Sequence, residues 1–323
     1  MSKLFKVLAS MLCVGLVFAG AAFALDVDPA IPVYEKVSGV EGSIITVGSD
    51  TLNNLMALWS EGFKAVYPSV KFSITAKGSS TAPPALIEGT SQFGPMSRAM
   101  KSKEADEFEK KFGYKATSVK VAVDALAVFV HKDNPIESLS LQQLDAIFSK
   151  NREGGYEKDI ATWGDLGLTG EWADKPISLY GRNSASGTYG YFKDVALFEG
   201  DYKDTVKEQP GSSAVVQGVA SDKYGIGYSG VGYKTADVRV VPLSVEGDDA
   251  YEANAENAYS GNYPIARFLY VYVNKNPNEA LDPLRAEFIK YMISKEGQEA
   301  VIKDGFYPIS KGIVDEDMEA CGL

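Results

Sequence analysis

The 323-residue chain is poor in the side chains that most often carry catalysis, with one histidine, His131, and two cysteines, Cys13 and Cys321. A Ser-His-Asp triad would have to use His131, which lies between an apolar run and the polar pair Lys132-Asp133, a pattern typical of a surface turn. One histidine and two distant cysteines also do not make a transition-metal cluster. We therefore expect a protein that is not an enzyme and that carries no cofactor.

Basic residues are scarce as well. The chain has 32 Lys and Arg against 43 Asp and Glu, a formal charge of −11, and no basic stripe rich in aromatic residues. This balance excludes nucleic acid and other polyanions as expected partners. A small anion can still bind, because screening beyond about 8 Å at physiological salt lets the local groups of a site outweigh the distant charge of the protein.

Long apolar runs are confined to the N-terminus. Two lysines precede the apolar run 7–18, which leads to Ala22-Phe23-Ala24, and this pattern indicates a secretory signal peptide cleaved after Ala24. Removing its 24 residues and two lysines leaves 299 residues, with 30 basic against 43 acidic and a formal charge of −13. The later run "VAVDALAVFV" contains Asp124 and is shorter than the roughly 18 apolar residues of a membrane helix. The sequence predicts a periplasmic protein, which we expect to be a monomer.

The remaining sequence alternates between strand and helix patterns joined by short glycine-rich segments, which is typical of an α/β protein. Two apolar segments, "VAVDALAVFV" and "RFLYVYV", are long enough to pass from one sheet toward another. We therefore predict two lobes. The first comprises residues 40–123 and 267–323, and the second comprises residues 124–266.

Three predicted strand-to-helix joints share a glycine followed by hydroxyl residues: Gly48 to Thr51, Gly78 to Thr81, and Gly181 to Thr188. The first amides of a helix have no partner within the helix, and the helix dipole favours negative charge, so such joints can bind an anion. In the third joint, "GRNSASGTYGYF", Arg182 adds a rigid forked donor for an oxyanion. Ordinary helix capping by Ser and Thr is the alternative at each joint.

These joints resemble those of the phosphate-binding proteins that serve bacterial phosphate ABC transporters. The resemblance lies in "GSDTL", "GSSTAPPALIEGTSQFGPMSRAM" and above all "GRNSASGTYGYF", with further agreement in "GIGYSGVGY" and "YPIARFLYVYVNKNP". It extends from about Ile44 to Ile309. It implies the α/β, two-lobed periplasmic binding protein fold, in which helix N-termini of both lobes surround a dehydrated anion in the interlobe cleft.

The resemblance also implies roles for residues of the second and third joints. Arg182 would make the charged contact with the anion. Ser186 and Thr188 would donate their hydroxyls, and Gly187 and Thr188 would donate backbone amides. From the second joint, Ser79 would donate a hydroxyl.

At the first joint the match is ambiguous by one position. The hydroxyl contact of the family falls on Asp50 or on Thr51, and the following amide belongs to Thr51 or to Leu52. Ser97 stands where well-known members carry the carboxylate that accepts the proton of hydrogen phosphate. We hypothesise that Asp50 supplies this acceptor instead, and the alternative is that Asp50 caps a helix.

Two further positions need an interpretation. Arg98 follows Ser97 and either adds charge to the site or pairs with a nearby carboxylate. Ser184 stands where members often carry an acid that orients the arginine.

The expected function is capture of inorganic phosphate and its delivery to a membrane ABC permease. The Ser97 departure keeps open a second interpretation, binding of another tetrahedral or organic oxyanion. A secreted phosphatase on the same scaffold is a third, although the sequence shows no nucleophile or metal set for it.

Overall fold

A computed structural model describes residues 25–245 and 247–323. The predicted signal peptide and its cleavage site after Ala24 lie outside these residues. The strands of the described chain are β1 Ser43–Gly48, β2 Lys71–Ala76, β3 Phe93–Met96, β4 Thr117–His131, β5 Leu139–Ser140, β6 Ser178–Arg182, β7 Lys207–Gln209, β8 Gly225–Gly230, β9 Val238–Val240, β10 Leu243–Ser244 and β11 Ala266–Val273. The helices are α1 Asn53–Val66, α2 Ala82–Glu88, α3 Ser102–Phe112, α4 Leu141–Phe148, α5 Gly187–Ala196, α6 Ser212–Ser221, α7 Ala255–Ser260, α8 Pro283–Met292, α9 Lys295–Lys303 and α10 Lys311–Cys321.

One mixed sheet runs through the molecule in the order β2-β1-β3-β11-β4-β8-β6-β7, with β9 beside β4. Strands β1, β2 and β3 are mutually parallel, and so are β6, β7 and β8. Between these two sets, β11 and β4 pair antiparallel with each other and with their outer neighbours. The early residues of β4 pair with β11 and its late residues with β8 and β9, so β4 passes from one set of strands to the other.

Two large hydrophobic cores correspond to the two sets of strands. The core of the first lobe packs α1 and the C-terminal helices on β1 to β3, around Trp59, Phe63 and Phe288. The core of the second lobe packs around Trp163, Phe192 and Tyr228. The α/β, two-lobed fold predicted from the sequence is confirmed. The residue limits proposed for the lobes remain a prediction.

Local patterns explain the elements that matter for the site. Helix α1 buries Leu55, Met56, Trp59 and Phe63 on one face, as their spacing predicts, and ends before Pro68. Strand β4 is buried over most of its length, which accounts for its continuous apolar run. No helix of the described residues is long and apolar enough to cross a bilayer.

The segment between α4 and β6 is a packed part of the second core. Trp163 and Trp172 lie in two short 3-10 turns, and their rings meet edge to face at 6.1 Å between centroids. Both side chains are buried. They therefore stabilise the second lobe.

A half-buried carboxyl group follows α9. Asp304 Oδ2 has no hydrogen-bond partner among the described residues, and burial raises the pKa of this carboxyl to about 7. Between about pH 4 and pH 7 the folded chain therefore holds a proton that the unfolded chain has lost, so the free energy of unfolding falls as the pH rises through this window.

Asp304→Asn is expected to stabilise the protein at pH 8, because the amide cannot ionise. After allowance for partial exposure, we expect a gain of about 1–2 kcal/mol, or about 2–4 °C in Tm, that vanishes near pH 4. Thermal unfolding at both pH values measures it, with the exposed Asp106→Asn as control. An equal effect of Asp304→Asn at pH 4 and pH 8 would contradict the assignment to ionisation.

Candidate functional site

Four buried hydroxyl groups meet where the two lobes face each other. Thr51 follows β1, Ser79 follows β2 and Ser97 follows β3, while Thr188 lies in the first turn of α5 in the second lobe. Thr51 Oγ1 lies 3.0 Å from Thr188 Oγ1, and Ser97 Oγ lies 3.3 Å from Ser79 Oγ and 3.5 Å from Thr188 Oγ1. The carboxyl ends of parallel strands thus bring together side chains that are far apart in sequence, at the usual ligand position of open α/β sheets.

Two glycines allow the lobes to approach this closely. A Cβ on Gly187, at the start of α5, would lie 2.2 Å from Ser79 Oγ and 2.7 Å from Ser97 Oγ. Gly78 has φ +118°, and a Cβ there would lie 2.4 Å from the Ala185 carbonyl oxygen. Ser80 Oγ donates a hydrogen bond to that carbonyl at 2.7 Å. The two joints therefore pack directly against each other across the cleft.

Arg182 ends β6 and is buried, with 2% of its surface exposed. Its Nη1 donates to Ser212 Oγ at 2.8 Å, and its Nη2 lies 3.4 Å from Asp50 Oδ2. Nε has no partner among the described residues. Burial lowers the pKa of Arg182, and the Asp50 carboxylate opposes that shift. The guanidinium is thus a desolvated cation with a donor still available.

Asp50 lies opposite Arg182, on the first lobe. Its Oδ2 accepts a hydrogen bond from the Ser212 amide at 2.7 Å, so the carboxylate holds both Arg182 and the first turn of α6. The N-cap position of α1 is Leu52, and α1 has no side-chain cap, so the capping alternative for Asp50 is wrong. Asp50 therefore contacts the arginine, whereas Ser184 is exposed.

A second buried guanidinium, from Arg267, contacts the hydroxyl cluster. Its Nη2 donates to Thr188 Oγ1 at 2.9 Å, and its Nη1 donates to the Ser97 carbonyl oxygen at 2.7 Å. Nε and Nη2 also donate to Asp124 Oδ2 at 3.0 and 2.8 Å. Arg267 and Asp124 stand directly opposite each other in the pairing of β11 with β4.

Fixed N–H donors determine the direction in which three hydroxyls of the cleft can donate. Thr188 Oγ1 accepts from Arg267, Ser79 Oγ accepts from the Ser97 amide at 3.0 Å, and Ser212 Oγ accepts from Arg182. Because an amide or a guanidinium can only donate, each hydroxyl keeps its own proton for donation. The cluster is therefore arranged to surround an acceptor, such as an oxyanion, rather than a cation.

The other predicted residues lie at the same place with more ordinary contacts. Ser186 Oγ caps α5 by accepting from the Tyr189 amide at 3.3 Å, and Leu52 presents its amide at the start of α1. Arg98 does not face the hydroxyls, because its two Nη atoms bind the Glu104 carboxylate at 2.8 and 2.7 Å. The nine predicted site residues are thus brought to one cleft: Asp50, Thr51, Leu52, Ser79, Ser97, Arg182, Ser186, Gly187 and Thr188.

Comparison with proteins of similar sequence identifies the family of this chain. The model of the PBP superfamily domain matches residues 35–296. The phosphate-binding protein PstS of Pseudomonas aeruginosa is 55% identical over 322 residues, 99% of this chain and 100% of the relative. This chain belongs to the PstS-type phosphate-binding proteins of the PBP superfamily. PstS of Staphylococcus aureus is 27% identical over 267 residues, 81% of this chain and 77% of its own.

A solved structure extends the likeness to three dimensions. A Clostridium perfringens substrate-binding protein assigned to a phosphate ABC transporter, solved with bound phosphate, superposes with a TM-score of 0.71 at 26% identity. The match covers 83% of this chain and 100% of that one. The resemblance to phosphate-binding proteins of ABC transporters that the sequence indicated is thereby confirmed.

Sequence reasoning missed three members of this PstS-type site. Ser212 follows Gly211 at the start of α6, and "GSS" there repeats the composition of the second joint, which could have revealed it. Arg267 and Asp124 are charged residues within the two apolar segments that were expected to pass between the lobes. Opposite charges in two such strands are a signal for a buried ion pair.

Asp124→Asn is expected to destabilise the protein by about 3 kcal/mol, because it leaves the buried Arg267 guanidinium without a carboxylate. Urea unfolding measures the change. The double variant Asp124→Asn with Arg267→Met should recover part of the loss, since it removes the unpaired charge. Strictly additive losses in the double variant would show that the two side chains do not stabilise each other.

Proposed function

We propose that this chain captures inorganic phosphate in its interlobe cleft and passes it to a membrane ABC permease. Membership of the PstS-type family supports this function. The observation that carries it is the donor arrangement: hydroxyls of Ser79, Thr188 and Ser212 that already accept from fixed N–H groups, together with the guanidinium of Arg182. Such a set can satisfy several oxygens of one tetrahedral anion at once.

The number of donors agrees with the affinity that a small ion can reach. A phosphate has five heavy atoms, and at a ceiling of about −1.5 kcal/mol per atom it gains about −7.5 kcal/mol, which corresponds to a Kd of a few micromolar. Nearly every oxygen must then be well bound. Helix N-termini from both lobes, at α1 and α5, add partial positive charge to the side-chain donors.

Closure of the lobes would supply the remaining requirement, which is removal of water. Thr51 belongs to the first lobe and Thr188 to the second, and their hydroxyls touch. A ligand bound beside these two hydroxyls is held by both lobes at once, and its hydrogen bonds strengthen as the local dielectric falls. Opening about the strands β4 and β11 would release it to a permease.

The protein is proposed to act as a monomeric periplasmic binding protein, exported by its N-terminal signal peptide, without catalytic turnover. A binding function requires no nucleophile or cofactor, and the described cleft is built from hydroxyls, amides and guanidinium groups. The family supports the role of a substrate-binding protein. Export, the monomeric state and the identity of the permease are parts of the proposal.

Calorimetric titration of ligand-stripped mature protein with phosphate tests the function. We expect one phosphate per chain with a Kd in the micromolar range or below. Absence of phosphate binding would refute the proposal. Release of product from a chromogenic phosphate ester would support the phosphatase alternative instead.

A second function, binding of another tetrahedral oxyanion, is favoured by one observation. Ser97 occupies the position of the family's proton-accepting carboxylate, and the nearby carboxylates of Asp50 and Asp124 are engaged by guanidinium groups. The usual basis for rejecting fully ionised sulfate is therefore weak here. Parallel titrations with sulfate and arsenate decide between the two functions.

Asp50→Asn distinguishes the two roles open to this carboxylate. As an arginine-orienting group its loss should weaken phosphate and sulfate about equally, by about tenfold, because Arg182 loses its ionic partner. As a proton acceptor its loss should abolish the preference for phosphate over sulfate. The geometry predicts the first result, which titration of both anions measures.

Gly187→Ala is expected to reduce phosphate affinity at least about a hundredfold, because its Cβ would overlap Ser79 Oγ and keep the lobes apart. Gly190→Ala in the same helix is the matched control. A Cβ at Gly190 would lie 3.6 Å from the Arg98 side chain, an ordinary contact. Equal affinities of the two variants would contradict the closed cleft as the binding state.

A further inference from the structure

Besides the hydroxyl cluster, a tyrosine links the two lobes at the edge of the cleft. Tyr233 belongs to a short 3-10 turn, Val231–Tyr233, between β8 and β9 of the second lobe. Its hydroxyl lies 3.1 Å from the Asp50 carbonyl oxygen and 3.0 Å from the Thr51 carbonyl oxygen of the first lobe. A tyrosine hydroxyl donates to carbonyls, so its proton is shared between these two acceptors.

The turn that carries Tyr233 is held in place on two sides. The Val231 amide donates to Asp124 Oδ1 at 3.0 Å, the same carboxylate that binds Arg267. A Cβ on Gly232 would lie 2.3 Å from the carbonyl oxygen of Asp304, which follows α9 of the first lobe, so the turn makes a second close contact between the lobes here. Its position is therefore coupled to the ion pair beside the hydroxyl cluster.

The acceptors of Tyr233 are the backbone of the first joint itself. Asp50 contacts Arg182 through its side chain, and Thr51 contacts Thr188 through its hydroxyl. A donor that holds their carbonyls from the second lobe therefore holds the joint in the orientation that faces the anion site. The Tyr233 hydroxyl is buried, and burial raises its pKa, so it stays protonated at neutral pH.

We propose that Tyr233 is a closure latch: its hydroxyl hydrogen bond forms when the lobes close on the anion and slows their reopening. This inference rests on the proposed binding function and goes beyond it, since the Tyr233 hydroxyl is bonded to backbone carbonyls of the first joint. Its ring also packs edge to face with Phe306 at 6.5 Å between centroids. That contact does not need the hydroxyl, so Tyr233→Phe removes the hydrogen bond and keeps the packing.

Tyr233→Phe is expected to raise the dissociation rate of phosphate about three- to tenfold and to leave the association rate nearly unchanged. Radiolabelled phosphate chased with unlabelled phosphate measures the dissociation rate. Tyr180→Phe is the matched control, because the Tyr180 hydroxyl donates to Asp222 at 3.0 Å within the second lobe. A merely stabilising hydroxyl would lower the Tm without separating these two rates.

X-ray scattering gives an independent measurement. Without phosphate, Tyr233→Phe should show the radius of gyration of the native chain, because the hydrogen bond forms on closure, and compaction should need about three- to tenfold more phosphate. Native rates and native compaction in the variant would overturn the latch. If the native chain binds no phosphate, the proposed function and the latch both fail; if the native chain binds phosphate and the variant releases it at the native rate, only the latch fails.

Discussion

The site depends on two buried guanidinium groups, each held by a carboxylate from another part of the chain. Arg182 of the second lobe faces Asp50 of the first, and Arg267 of β11 faces Asp124 of β4. Removing such charges from water costs several kcal/mol per ion unless partners and hydrogen bonds compensate. The carboxylates provide that compensation, and other N–H groups of the two side chains donate to Ser212, Thr188 and the Ser97 carbonyl oxygen. The guanidinium groups thereby orient the hydroxyls of Ser212 and Thr188, so part of the polarity of the site follows from the two ion pairs.

The sheet architecture explains why such distant residues meet. The residues of the site follow the carboxyl ends of strands in both parallel sets, and the antiparallel pair β4 and β11 connects the two sets. The pairing of Arg267 with Asp124 lies in this connecting pair, beside the hydroxyl cluster. The connection between the lobes and the charge pair of the site are thus built from the same two strands. A change in the relative orientation of the lobes can therefore alter the site through these two strands.

Local sequence patterns were sufficient to predict much of the fold and part of the site. Glycine and hydroxyl residues between a strand pattern and a helix pattern predicted three of the helix N-termini at the cleft, and Arg182 was recognisable within the third. The contacts that set the chemistry could not be read in this way. Asp50 looked like a helix cap or a proton acceptor because its partner, Arg182, lies 132 positions later. Arg267 and Asp124 each looked like an irregularity in an apolar strand, and their meaning appears only from the register of β11 on β4. Tyr233 gave no local signal, since its acceptors are backbone carbonyls of another lobe.

The charge balance of the cleft also explains how an acidic protein can hold an anion. Arg182 with Asp50 and Arg267 with Asp124 contribute two positive and two negative charges, so the ligand does not enter a strongly cationic patch. Its oxygens are instead met by hydroxyl protons, helix amides and guanidinium N–H groups, many of which are already oriented within their own lobe, so little free energy is spent on reorienting them. Interactions of this kind act at contact distance in a water-excluded cleft, where screening by salt is weak. Discrimination among anions must then come from the number and direction of their oxygens rather than from their charge alone.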